Sequence, residues 1–119
     1  MNKRIITALI GTGNSAEKYL NCLKKNKNFD LKYILSNDDK RGKDFSIKNN
    51  CELISKIDVL KGEKKIDLII ITTNPSDRKL AIDFANKKIN MIIEKPLSLN
   101  SNESELIFKT CKKNNIICG

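Results

Sequence analysis

A chain of 119 residues, 39% hydrophobic and 31% charged, has room for one buried core and the composition of an ordinary soluble domain. It holds no apolar run near the ~20 residues that span a bilayer and no signal-peptide pattern after Lys3 and Arg4. It also has no histidine, and Cys22, Cys51, Cys111 and Cys118 form no C-x-x-C pair, so reduced thiols in a cytoplasmic protein are expected rather than disulfides or zinc. The net charge of +9 comes almost wholly from lysine, since only Arg4, Arg41 and Arg78 are arginines; the lysines are scattered without aromatic–basic interleaving, which reads as solvated surface rather than a nucleic-acid footprint.

In chain order, Arg4-Ile-Ile-Thr-Ala-Leu-Ile10 reads as a first strand, meeting Gly11-Thr-Gly-Asn-Ser-Ala16 and then a helix with Tyr19, Leu20 and Leu23 on its apolar stripe. A strand, a tight glycine turn and a helix N-terminus hold a pyrophosphate against backbone N–H groups at the positive end of the dipole. Gly11 makes the turn, Gly13 admits the phosphates, and Ala16 is small enough for the helix to pack on the strand. Bare G-x-G-x-x-A is an unspecific pattern. Its place at the end of a strand near the chain start gives it meaning.

Leu31–Ser36 reads as a second strand, Asp38–Asn50 as a helix, and Cys51–Ile54 as a short third strand. A brief helix from Ser55 to Lys61 stops at Gly62, and Ile66-Asp-Leu-Ile-Ile-Ile71 is a central fourth strand, too short and too β-branched for a helix. Asn74 and Pro75 open a helix that continues through Leu80, Ala81, Phe84 and Ala85. Ile89–Ile93 is a fifth strand, Glu94–Ser98 a loop, and a last helix is capped at Asn100 or Ser101, with Glu103 placed for a capping box with Asn100. Ile116–Cys118 is expected as a sixth strand.

Six alternations with short connections imply right-handed crossovers, hence an α/β, doubly wound parallel sheet (a Rossmann fold) in the order 3-2-1-4-5-6 with helices on both faces. Ligands bind such sheets beyond the carboxyl ends of the strands, at the switch between the first and fourth. That selects Gly11–Ala16, Ser36–Asn37, Thr72–Pro75 and Glu94–Pro96. Ser36 and Asn37 are small and neutral, and Lys40 or Arg41 can neutralise a 2′-phosphate, which leans toward NADP over NAD; Asp38 serves the NAD role instead if the strand ends two residues later. Thr72, Thr73, Asn74 and Pro75 offer hydroxyls, an amide and a rigid turn, although Asn74 reads equally as a helix cap. On position alone, Lys95 is either a solvated lysine or a cation beside a substrate oxygen.

Gly11–Ala16, the Thr72–Ser76 turn and above all Ile92-Ile-Glu-Lys-Pro-Leu-Ser98 resemble the cofactor domain of the Gfo/Idh/MocA oxidoreductases, across essentially the whole chain. The resemblance implies that Lys95 sits by the nicotinamide and substrate as a catalytic contributor, and that Glu94 and the turn from Thr72 to Pro75 are cofactor contacts. It implies hydride transfer to or from a sugar, cyclitol or nucleotide-sugar hydroxyl. Two departures stand against it: the histidine common after the Thr-Pro-type turn is absent, with Asp77 or Arg78 there, and the second, substrate-binding domain is not in this sequence. The chain thus reads as a single NAD(P)-binding domain over residues 1–119, not expected to turn over substrate alone. A stand-alone nucleotide-binding or sensing module is the alternative. Uncovered apolar residues such as Ile116 and Ile117 suggest a homodimer.

Overall fold

In chain order the computed structural model has β1 (Ile5–Ile10), α1 (Asn14–Lys25), β2 (Phe29–Leu35), α2 (Asp39–Lys48), β3 (Glu52–Leu53), α3 (Lys56–Leu60), β4 (Leu68–Ile71), α4 (Lys79–Asn86), β5 (Asn90–Ile93) and α5 (Ser101–Lys113). It describes residues 4–36, 38–73, 79–94 and 101–119, and for Asn14 the backbone alone. The strands form one parallel sheet in the order β3-β2-β1-β4-β5, the doubly wound arrangement read from the sequence.

The expected sixth strand is reduced to a single parallel bridge between Met91 and Cys118. Met91 donates its N–H to Ile117 O at 2.9 Å and accepts from Gly119 N at 2.9 Å, and Ile93 N–H donates to Gly119 O at 2.9 Å. The last residues therefore lie beside β5 in the sixth position, with too few of them paired to make a strand. β3 is likewise only two residues long, while β2 begins at Phe29 rather than Leu31, and β4 at Leu68 rather than Ile66.

Alternation along the strands sorts side chains between two cores. Ala8, Ile10, Ile69, Ile71, Met91 and Ile93 face α3, α4 and α5, whose Val59, Ala81, Phe84, Ala85, Ile107 and Cys111 complete one cluster. Leu9, Ile34 and Ile70 face the opposite way and meet Ala16, Leu20 and Leu23 of α1 and Phe45 of α2. The central strands are buried on both faces, which is why they read as unbroken apolar runs rather than alternating ones.

Asp67, just before β4, fixes the register at the start of the sheet. Its Oδ2 accepts the Ile6 N–H at 2.9 Å, and its own N–H donates to Ile6 O at 2.8 Å. An Asp67→Ala chain loses the acceptor for a partly buried N–H, and is expected to unfold with about 1–3 kcal/mol less stability in urea titration, with no change in dinucleotide affinity. No helix among the described residues is long and apolar enough to cross a membrane.

Candidate functional site

Hydrogen bonds carry the sheet ladder one residue past the strands and align four loops. Gly11 N–H donates to Leu35 O at 3.0 Å, Thr72 N–H to Ile10 O at 3.0 Å, and Glu94 N–H to Ile71 O at 2.9 Å. With Ile10 opposite Leu35 and Ile71, and Ile71 opposite Ile93, the next residues form a row across the carboxyl edge: Ser36, Gly11, Thr72, Glu94. At the usual spacing of about 4.8 Å between strands, the row is roughly 14 Å long.

The two glycines of the first loop have different surroundings. Gly11 has φ +114, in the region that L side chains rarely adopt, and a Cβ there would collide with Thr72 Oγ1. Thr72 is itself immobilised, since its hydroxyl also donates to Ile10 O at 2.7 Å. Gly13, at the N-cap of α1, has φ −87, which any residue can adopt, and a Cβ built on it would have no atom of the described residues within 4 Å. Gly13 has no side chain with which to cap α1, so the first-turn N–H groups gain no acceptor from the N-cap residue itself. Thr12 and Ser15 are half-buried around this N-terminus, and Ala16 is fully buried against the sheet. Asn14 is the first residue of α1.

At the end of β2 the chain makes a tight polar turn. Ser36 Oγ accepts the Asp38 N–H at 3.1 Å and donates to Asp38 O at 3.1 Å. Asp38 caps α2, its Oδ1 accepting the Arg41 N–H at 3.1 Å. That bond engages the carboxylate in the fold. Arg41 is exposed on the first turn of α2, lining a hollow of about 240 Å³ together with Thr12, Glu17, Asp44, Phe45 and Lys48. The close approach of α2 depends on Gly42, buried, where a Cβ would lie 2.8 Å from Ser36 Cβ and 3.0 Å from Leu53 Cδ1. Sequence reasoning passed over Gly42; a glycine inside an amphipathic helix just beyond a strand-end turn is the signal that marks it.

Glu94 closes the row at the other end. Tyr19, half-buried on α1, lines one hollow with Glu94; burial, and next the Glu94 carboxylate, push its phenol above the ordinary range. The structure thus brings together Gly11, Thr12, Gly13, Ser15, Ala16, Ser36, Arg41, Thr72, Thr73 and Glu94 around one edge. Asn37, Asn74, Pro75, Lys95 and the rest of the Glu94–Ser98 loop lie outside the described residues, as does Asn100 of the expected capping box. Periodicity gives Tyr19 a place on the apolar stripe but not its neighbourhood with Glu94.

A doubly wound sheet whose glycine turn opens onto an uncapped helix N-terminus at the switch point defines a nucleotide-binding Rossmann domain. Residues 5–119 match the model of the oxidoreductase family GFO_IDH_MocA, NAD-binding Rossmann fold, and the chain belongs to that family. Among curated relatives, the 2,7-anhydro-N-acetylneuraminate hydratase of Mediterraneibacter gnavus is 22% identical over 97% of this chain and 30% of its own length. Among solved structures, the WlbA dehydrogenase of Bordetella pertussis, in complex with NADH and UDP-GlcNAcA, superimposes with a TM-score of 0.90 at 14% identity over 100% of this chain and 36% of that one. The biliverdin reductase of Synechocystis, in complex with biliverdin and NADP+, does so with a TM-score of 0.87 at 16% identity over 96% and 36%. At such identities these structures support the fold alone. The chain spans about a third of the length of these relatives.

Proposed function

We propose that this chain is the cofactor-holding part of an NAD(P)-dependent oxidoreductase whose substrate is a sugar, cyclitol or nucleotide-sugar hydroxyl, the substrate being read mainly by a further domain. The observation that carries the reading is Gly13: a position with ordinary backbone angles, where the fold itself leaves room for a side chain, at an uncapped helix N-terminus. A glycine there has no packing reason among the described residues. A pyrophosphate supplies one, because it needs the backbone N–H groups unobstructed.

On this reading Gly11, Thr12, Gly13, Asn14, Ser15 and Ala16 surround the pyrophosphate, Thr72, Thr73, Asn74 and Pro75 flank it and the adjoining ribose, and Glu94 lies at the nicotinamide end. The bound cofactor supplies a hydride acceptor or donor. Lys95, following Glu94, orients and polarises the substrate oxygen as charge develops on it. The basic balance of the chain, +9 overall, draws the anionic cofactor to the crevice.

Ser36, Asn37 and Arg41 set the choice of cofactor. Asp38 Oδ1 caps α2, and the exposed Arg41 guanidinium can pair with a 2′-phosphate. Calorimetric titration is expected to give tighter binding of NADPH than of NADH, and Ser36→Asp to reverse the order by placing a carboxylate where the 2′-phosphate would sit. An unchanged preference in the variant would put the selecting residues elsewhere.

A further inference from the structure

Gly42 is the only glycine of this chain inside a helix, and the room that its missing side chain leaves is closed by Ser36. We propose that Gly42 is a positioning residue for cofactor choice: by letting α2 close onto Ser36 it holds Arg41 within reach of a 2′-phosphate, and so favours NADPH over NADH. The proposal rests on the dinucleotide reading above and deepens it by naming what gives the selecting corner its shape.

The corner is drawn together at one residue. Asp38 O accepts the Gly42 N–H at 2.8 Å and the Ser36 hydroxyl at 3.1 Å, while Ser36 Oγ accepts the Asp38 N–H at 3.1 Å. The Arg41 N–H is tied to the same residue through Asp38 Oδ1, at 3.1 Å. The width of this corner is set at Gly42. A Cβ there would lie 2.8 Å from Ser36 Cβ, 3.4 Å from Ser36 Oγ and 3.0 Å from Leu53 Cδ1. Carbon atoms pack at about 3.5–4.0 Å, so something must withdraw by roughly 1 Å. Leu53 can turn the far end of its side chain. Ser36 cannot, because its Cβ follows directly on β2, where Leu35 is paired with Ile10 and its carbonyl accepts the Gly11 N–H at 3.0 Å. The displacement therefore falls on α2, and Arg41, the residue before Gly42, moves with it.

Such a displacement is selective. A guanidinium recognises a phosphate by directional, paired hydrogen bonds, which a shift of roughly 1 Å spoils. NADPH carries the 2′-phosphate and NADH a hydroxyl in its place, so only NADPH loses a charge-assisted contact. Glycine inside a helix is also destabilising relative to alanine. The helix itself gives no reason for it here, and the close approach to Ser36 does.

Gly42→Ala adds the single Cβ. Calorimetric titration of the full chain is expected to show NADPH bound about tenfold more weakly, the range of one hydrogen bond to a charged group, with NADH affinity unchanged. Ser36→Gly removes the atom that the new Cβ strikes, and is expected to keep part of the NADPH preference through Arg41. Gly42→Ala added to Ser36→Gly is then expected to leave the ratio of the two affinities where it was. Equal weakening of both ligands, an unchanged ratio, the full loss persisting in the Ser36→Gly background, or a Ser36→Gly chain with no preference left would overturn the proposal. So would a Gly42→Ala chain that does not fold, because Gly42 would then serve the fold alone. All of these leave the dinucleotide reading intact. A parent chain that binds both ligands without preferring NADPH would overturn the cofactor choice and this proposal together, and one that binds neither would overturn the dinucleotide reading as well.

Discussion

Replacing Gly13 by valine should leave the domain folded and weaken NADPH binding by about 100-fold, equivalent to about 2.8 kcal/mol. The backbone at Gly13, φ −87 and ψ −163, is ordinary extended geometry, and a Cβ there meets nothing of the described residues within 4 Å. The folding cost is therefore limited to the poorer N-cap, about 1 kcal/mol or less. The binding cost is large because the added methyls stand where a phosphate must approach the N–H groups of α1. Gly13→Ser refines the test. Serine is a good N-cap, so its melting temperature should match or exceed that of the parent while NADPH binding still falls.

Gly11→Ala should behave in the opposite way and remove the fold itself. Its φ of +114 lies where L residues are strained, which costs on the order of 1–3 kcal/mol. The added methyl also strikes Thr72 Oγ1, a group that cannot withdraw without breaking its 2.7 Å bond to Ile10 O. Overpacking of this kind adds about 1–3 kcal/mol. Together, at about 2–6 kcal/mol, these consume much of the lower range of a small domain's stability, about 5–15 kcal/mol, so far-ultraviolet dichroism and thermal melting should show a strongly destabilised chain. A Gly11→Ala protein with the parent melting temperature would mean that the turn is not held as described. Within one motif, then, one glycine serves the chain's own geometry and the other serves its ligand.

Much of this was legible in the sequence because several signals agreed at each element. The first strand, the glycine turn and α1 could be read because an apolar run changes to a 3.6-residue period across Gly11 and Gly13. The strand order follows from alternation and right-handed crossovers, and that order alone sets Ser36, Gly11, Thr72 and Glu94 on one edge. What was lost depends on partners that periodicity does not encode. Ile116–Cys118 is as apolar as a strand, but only Met91 pairs with it as a bridge. Tyr19 sits at an apolar position of the helical period, so nothing local separates a packed ring from one that shares a hollow with Glu94, far along the chain. Gly42 reads as a helix weakness until Ser36 and Leu53 are seen against it. That Asp38 Oδ1 caps α2 is likewise seen only in the cap geometry.

The most direct test of the central claim is a fluorescence titration of NADPH against the full chain and its Gly13→Val variant at equal concentration and matched melting temperature. Saturable one-to-one binding by the parent, weakened about 100-fold in the variant, is the predicted result. No saturable binding by the folded parent, or equal affinity in both proteins, would contradict the assignment of the Gly11–Ala16 loop as a dinucleotide cradle.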